Sequence, residues 1–293
     1  MAVGHAGTLD PLATGVLMVG VARDTTKLMK YVKDQEKTYR AVIKFGEETT
    51  SGDCEGEVIK RCDEGSGLIP AGRDEQLAFG ERVRHLLESK FTGDIVQTPP
   101  KVSAIKVNGK KLYQYARSGQ DVVIPKRNVT VYDIRCLRLL PPDSIEIEMR
   151  CSPGTYVRSI AQDMGEDLSG CGGHLTSLTR TAIGKFTVEN ALQLDDVLAL
   201  PQEERAEALR RHLLPPVAAI SEFPTVHISW HSWELMKRRK RLQGELPDHL
   251  QQLRHGQHVG LYVGRDNRWM GVGCIDDRHD GKHLLLDLVA SVR

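Results

Sequence analysis

The 293-residue sequence reads as an α+β protein, a large mixed domain followed by a small β-barrel-like one. Three observations carry that reading. Lys37–Phe45 and Ser144–Cys151 alternate apolar and charged residues with the period of a strand. Residues 73–90 and 157–168 space apolar side chains along one face of a helix. Beyond Glu222 the tail carries short β-like runs, Val259–Val263 and His283–Leu286, with glycine-rich turns between them.

The chain opens on Gly4-His5-Ala6-Gly7-Thr8-Leu9-Asp10-Pro11-Leu12-Ala13-Thr14-Gly15. Glycines permit backbone conformations that other residues avoid, and Pro11 steers Asp10 away from helix. Asp10 is therefore expected on a stiff loop, ahead of the apolar run Val16–Val21, which reads as a buried strand. Two readings fit that carboxylate: an Asp-Pro turn capping its own backbone, or a rigidly held nucleophile or base. Asp24-Thr25-Thr26 can cap a short helix carrying Leu28, Met29 and Tyr31. In the strand that follows, Tyr39, Ala41, Ile43 and Phe45 share one face, against Arg40 and Lys44. The acidic, Thr- and Gly-rich stretch from Gly46 to Gly56 reads as a solvated connection.

Phe79, Val83, Leu86 and Leu87 form the apolar face of the next helix. Gln97-Thr98-Pro99-Pro100 breaks the chain, and Asn108-Gly109 signals a hairpin turn. Ile145, Ile147, Met149 and Cys151 point inward on their strand, which leads into Gly154-Thr155-Tyr156-Val157-Arg158. Val157, Ile160, Ala161, Met164 and Leu168 trace an amphipathic helix that stops at the glycines around Cys171. His174 to Phe186 reads as strand and turn. A domain boundary is placed at Glu222, dividing the chain into residues 1–221 and 222–293.

Forty basic and 39 acidic residues give a net charge of +1, so any surface for nucleic acid must come from local clustering. The clusters are Lys106, Lys110 and Lys111 around the hairpin, Lys126-Arg127 after it, and the five consecutive cations Lys237–Arg241 in the tail. Six scattered cysteines without a Cys-x-x-Cys pair suit reduced thiols and argue against a zinc site or a disulfide framework. No apolar run approaches membrane-spanning length, and Met1-Ala2-Val3 leaves no room for a signal or transit peptide ahead of the motif. A soluble, intracellular protein is expected, in cytoplasm or organelle.

The ordered run Gly-His-x-Gly-Thr-Leu-Asp-Pro-x-Ala-Thr-Gly resembles the signature of the stand-alone, TruB-type tRNA pseudouridine synthases, which modify uridine 55 in the T arm. The segments Lys37-Thr38-Tyr39-Arg40 and Ser103–Arg117 resemble the same family. The resemblance implies the mixed, largely antiparallel sheet of the pseudouridine synthase fold with flanking helices, and a C-terminal RNA-binding domain of PUA-like type. It implies isomerisation of uridine with no cofactor and no metal, by a monomer acting on tRNA. Asp10 takes the place of the nucleophile, with Arg158 as its counter-ion. An aspartate must stay ionised to act, and burial penalises the charged form, so a buried cation beside it is what the chemistry needs. Tyr39 is implied to stack on the uracil and help move the proton; Tyr156 and Leu178 line the same pocket. His5 matches a histidine that helps hold the RNA loop open.

Two departures accompany the resemblance. Val102 stands where the family usually carries an aromatic residue. The family also begins upstream of the glycine-histidine motif with a further strand, so a chain shortened at its N-terminus is expected, with an exposed sheet edge. Two alternatives belong to other classes of function. One is a tRNA-binding or tRNA-folding protein without catalysis; the other is an RNA-guided synthase of the same superfamily, disfavoured because that branch carries bulkier or charged residues at Leu12-Ala13.

Overall fold

The computed structural model describes residues 1–62, 67–242, 248–277 and 282–290. The chain forms two compact units. One comprises Gly7–Leu17 and Lys33–Leu192; the other comprises Met1–Ala6, Met18–Val32 and Gln193–Arg293. The expected boundary at Glu222 falls inside the second unit, and residues 243–247, 278–281 and 291–293 of the expected C-terminal domain lie outside the described residues.

The first unit is built on a sheet with seven strands among the described residues. Its order is Phe186–Thr187, Gly173–Ile183, Lys37–Phe45, Ser144–Cys151, Arg127–Leu140, Gly93–Gln97, with Ala13–Gly15 joined to Gly173–Ile183. Every pairing is antiparallel except that of Ala13–Gly15, which is parallel and sets Ala13 opposite Leu178. The mixed, largely antiparallel sheet expected from the sequence is therefore present. Helices Arg73–Lys90 and Val157–Ser169 bury Phe79, Val83 and Leu87, and Val157, Ile160, Ala161, Met164 and Leu168. They join a single core with Ile43, Phe45, Ile145, Ile147, Met149 and Leu175 from the sheet. Lys106–Val107 and Lys110–Lys111 pair as the expected hairpin, with Asn108 and Gly109 at φ of 51° and 79° in the turn.

In the second unit Val3–His5 pairs with Val19–Val21, and Thr225–Ile228, His258–Val263, Arg268–Asp276 and His283–Val289 form a four-stranded sheet. Trp233 and Met236 of the Trp230–Arg239 helix pack on this sheet's core with Val259, Leu261 and Leu284. The helix Arg23–Lys33 joins the unit through Tyr31, whose hydroxyl donates to Asp287 at 2.7 Å. The described strands form no closed barrel.

Three further expectations need correction. Val16–Val21 is not one buried strand: Val16 is buried, but Leu17 and Val19 are exposed, and the run is divided between the two units. The pairing with Gly173–Ile183 ends at Gly15, whose φ of 98° turns the backbone where a Cβ would lie 2.2 Å from the Arg180 carbonyl oxygen. Gly46 to Gly56 is not a solvated connection. Glu47–Thr49 pairs with Val58–Arg61 and buries Thr49, and the loop between the strands buries Asp53. Finally, not all thiols are reduced. Cys62 and Cys171 form a disulfide across 109 residues, a non-local pairing that cysteine spacing does not announce.

Candidate active site

Asp10 sits in the loop that the sequence marks as stiff, its carbonyl accepting from Ala13 N–H at 2.9 Å. The next turns of that loop are stitched to the sheet, Thr14 to Thr179 by their hydroxyls at 2.9 Å and Val16 N–H to the Arg180 carbonyl at 2.8 Å. The carboxylate faces Arg158, the second residue of the Val157–Ser169 helix. Arg158 Nη2 donates to Asp10 Oδ1 at 3.0 Å, and Nε lies 2.9 Å from Oδ2. The Nε contact is an ion pair off the N–H line, because Nε makes no aligned hydrogen bond. The two residues are 148 positions apart.

Exposure of the pair is unequal. The Arg158 side chain is 5% exposed and that of Asp10 is 34%. The cation is thus a buried base plate, and the carboxylate keeps one side open to a ligand. Arg158 is held from behind by two carbonyls, Nη1 donating to Ser51 at 2.8 Å and to Val102 at 3.1 Å. Since Val102 contributes its backbone, replacement of the usual aromatic does not affect this contact.

A second carboxylate, Asp53, stands 3.9 Å from Arg158 Nε and is 3% exposed. Ser51 Oγ and the Glu55 N–H both donate to its Oδ1. The loop is tied to the sheet by Cys54 N–H to Leu175 O at 2.8 Å and Leu175 N–H to Gly52 O at 3.1 Å. Sequence reasoning passed over Asp53. The available signal was an aspartate just after Thr49, Thr50 and Ser51, which can supply hydroxyl donors to an acid that leaves water.

Tyr39 and Leu178 lie on neighbouring strands of the sheet, Tyr39 opposite Arg180 and Leu178 opposite Ala41. Leu178 is 5% exposed and belongs to the core against which Leu12, Ala13 and Tyr39 also pack. Burial pushes the Tyr39 hydroxyl above the ordinary tyrosine value, Cys151 and Asp10 push the same way, and Arg180 opposes them. Tyr39 is therefore a neutral phenol near pH 7, a donor rather than a ready base. Tyr156 precedes the Arg158 helix, and the Gln97 amide fixes it, accepting from its N–H at 3.0 Å and donating to its carbonyl at 3.2 Å. Burial raises its hydroxyl too, countered by the nearby Ser103, Arg127 and Arg158.

Asp10, Arg158, Tyr39, Tyr156 and Leu178 thus belong to one compact unit, while His5 is exposed at the end of Val3–His5 in the other. Among the described residues no three His, Cys, Asp or Glu side chains gather as a metal-binding group, and no helix is long and apolar enough to cross a membrane.

Residues 1–157 match the TruB family pseudouridylate synthase N-terminal domain, and residues 158–221 match the tRNA pseudouridylate synthase B C-terminal domain. The chain is 44% identical over 206 residues to the tRNA pseudouridine synthase B of Francisella philomiragia, covering 70% of this chain and 64% of that protein. It is 40% identical over 237 residues to the enzyme of that name from Francisella tularensis subsp. holarctica, covering 81% and 70%. To that of Thermobifida fusca it is 45% identical over 204 residues, covering 67% and 65%. The chain therefore spans about two thirds of the length of these relatives, slightly less for the first and third. In fold it is similar to the crystal structure of a Cbf5-Nop10-Gar1 complex, with TM-score 0.66 and 20% identity over 99% of this chain and 76% of that one. A structure of an H/ACA RNP bound to a substrate RNA containing 2′-deoxyuridine gives TM-score 0.65 at 18% identity, covering 99% and 76%.

Proposed function

The chain belongs to the TruB family of pseudouridylate synthases, and from that premise we propose that it converts uridine to pseudouridine at position 55 in the T arm of tRNA. The observation that carries the proposal is the ion pair of a half-open carboxylate, Asp10, on a buried guanidinium, Arg158. The isomerisation breaks the bond from ribose C1′ to uracil N1, turns the base, joins C1′ to C5, and removes the C5 proton. The C5 proton passes to solvent and N1 takes one up, so nothing is oxidised and no group other than a proton enters or leaves.

Asp10 serves as the nucleophile, its charge held in place by Arg158 before substrate arrives, so little reorganisation is needed at the reacting carbon. Tyr39 offers its ring to the extruded uracil, and its neutral hydroxyl relays the proton. Tyr156 and Leu178 bound the space in which the detached base turns, and His5 meets the RNA loop. The target base must leave its stack, and stacking on an aromatic side chain returns about 1–3 kcal/mol of that cost. Asp53 acts through Arg158, setting the tilt of its guanidinium.

Residues 1–221 are proposed to carry the chemistry and residues 222–293 to act as a PUA-like RNA-binding domain. Supporting the latter, the Trp230–Arg239 helix ends in Lys237, Arg238 and Arg239, and Arg238, Arg239, Lys240 and Arg241 are all exposed. Such a cluster neutralises phosphates without reading sequence. The chain is proposed to act as a monomer inside the cell, where its RNA resides.

Incubation of the full chain with unmodified tRNA transcript, followed by carbodiimide derivatisation and primer extension, tests the reading. A single new stop at the T-arm uridine is expected, and none on a transcript with cytidine there. Modification only when a separate guide RNA is added would favour the RNA-guided reading. RNA binding without any stop would favour the non-catalytic one.

A further inference from the structure

The strand Gly173–Ile183 carries an arginine where an apolar residue is expected. Leu178 points into the core, and Arg180, two residues on, shares its side of the strand. Arg180 is 1% exposed, among the largest fully buried side chains of the protein. Its described hydrogen-bond partners are two carbonyl oxygens rather than a carboxylate. Nε donates to Val16 O at 2.8 Å and Nη2 donates to Gly7 O at 3.0 Å, while Arg180 lies directly opposite Tyr39 on the neighbouring strand and opposes the burial that raises its hydroxyl.

Those two carbonyls sit at the two ends of the loop that carries Asp10. The backbone of Arg180 takes part as well, its carbonyl accepting from Val16 N–H at 2.8 Å and closing against Gly15. One residue therefore closes the loop at both ends, from a position directly opposite Tyr39 on the paired strand. A buried cation without a counter-ion is costly, and the same volume filled with apolar side chain would serve packing alone at least as well. What an apolar residue lacks is the planar fork that reaches acceptors in different directions at once, and lysine lacks it too.

We propose that Arg180 is a positioning residue for the reaction. It clamps Gly7 to Val16, fixes the Asp10 loop in register with the Arg158 side chain, and orients the Tyr39 hydroxyl toward the same space. It touches neither substrate nor the Asp10 carboxylate, so it acts on turnover through them. The proposal rests on Asp10 acting in catalysis, and its test has one arm that does not depend on activity.

That arm is amide hydrogen exchange on Arg180→Lys and Arg180→Ala in the full chain. Exchange is expected to rise at least about tenfold within Gly7–Val16 while the Lys37–Phe45 strand keeps its protection. The second arm is turnover on tRNA below the melting temperature of each variant. For Arg180→Lys, kcat is expected to fall about 100-fold, as for a reacting group displaced by about an ångström. KM is expected to stay within about threefold, because substrate contacts are unchanged. Added guanidinium ion should restore part of the Arg180→Ala turnover, and methylammonium should not. Unchanged kcat in folded Arg180→Lys, or exchange rising evenly across the sheet, would overturn the proposal. Selective loop exchange in a chain whose wild type makes no pseudouridine would uphold the clamp and defeat the proposed function instead.

Discussion

Replacing Asp53 with asparagine removes one negative charge from behind Arg158 and keeps the side chain's size. The Asn oxygen can still accept from Ser51 Oγ and the Glu55 N–H, so the loop should hold its shape. At the 3.9 Å separation from Arg158 Nε, a unit charge pair is worth about 4 kcal/mol at an effective dielectric of about 20. Most of that is offset in the folded state, because burying a carboxylate costs several kcal/mol on its own. Net stability should therefore move by no more than about 1 kcal/mol, read as the urea midpoint. Catalysis should be hit harder. With the rear charge gone, the guanidinium is free to slide toward Asp10, and losing a third of the pair energy, about 1.4 kcal/mol, from the transition state lowers kcat about tenfold. Single-turnover tritium release from tRNA labelled at uracil C5 gives the rate. A kcat within twofold of wild type at unchanged stability would refute the reasoning and return Asp53 to the role of a loop fastener.

Lys37 is buried, its Nζ donating to Lys33 O and Gln35 O at 2.7 Å each. Burial first, then the Arg180 charge, bring it down to about 8. Between about pH 8 and the ordinary lysine value near 10.5 the unfolded chain binds the extra proton, so this residue makes stability rise with pH across that window. Urea titrations of wild type and Lys37→Met should show the wild-type gain and its absence in the variant; parallel curves would contradict it. The Cys62–Cys171 disulfide closes a loop of 109 residues between the end of Val58–Arg61 and the end of the Arg158 helix. Reduction by a dithiol should cost about 2–4 kcal/mol of stability, measured by urea midpoints with and without reductant. A midpoint indifferent to reductant would show that the bond constrains nothing.

Much of the site was legible because its parts have local signatures. Asp10 announces itself through glycines and Pro11, and Tyr39 through the alternation of its strand. The partnership of Asp10 with Arg158 came from resemblance, since nothing in the spacing of residues 148 apart brings them together. What escaped was non-local. Asp53 lies in a stretch whose hydroxyls and glycines read as solvated, and only its docking on Leu175 and Arg158 takes it out of water. The Val16–Val21 run looked continuous because hydropathy does not register that Val16 bonds to Arg180 while Val19–Val21 pairs with Val3–His5. The disulfide escaped for the same reason, its cysteines meeting only once the Glu47–Arg61 hairpin and the Val157–Ser169 helix are in place. In the tail, short runs and turns gave the strands of the four-stranded sheet but not its open order.

The central claim is that the Asp10 carboxylate performs the chemistry. Tritium release from tRNA labelled at uracil C5, measured for wild type and Asp10→Asn at equal RNA occupancy, tests it most directly. The variant keeps shape and RNA contacts, so it should bind as wild type does and release tritium at least about a thousandfold more slowly. Release by Asp10→Asn at a rate near wild type would contradict the account.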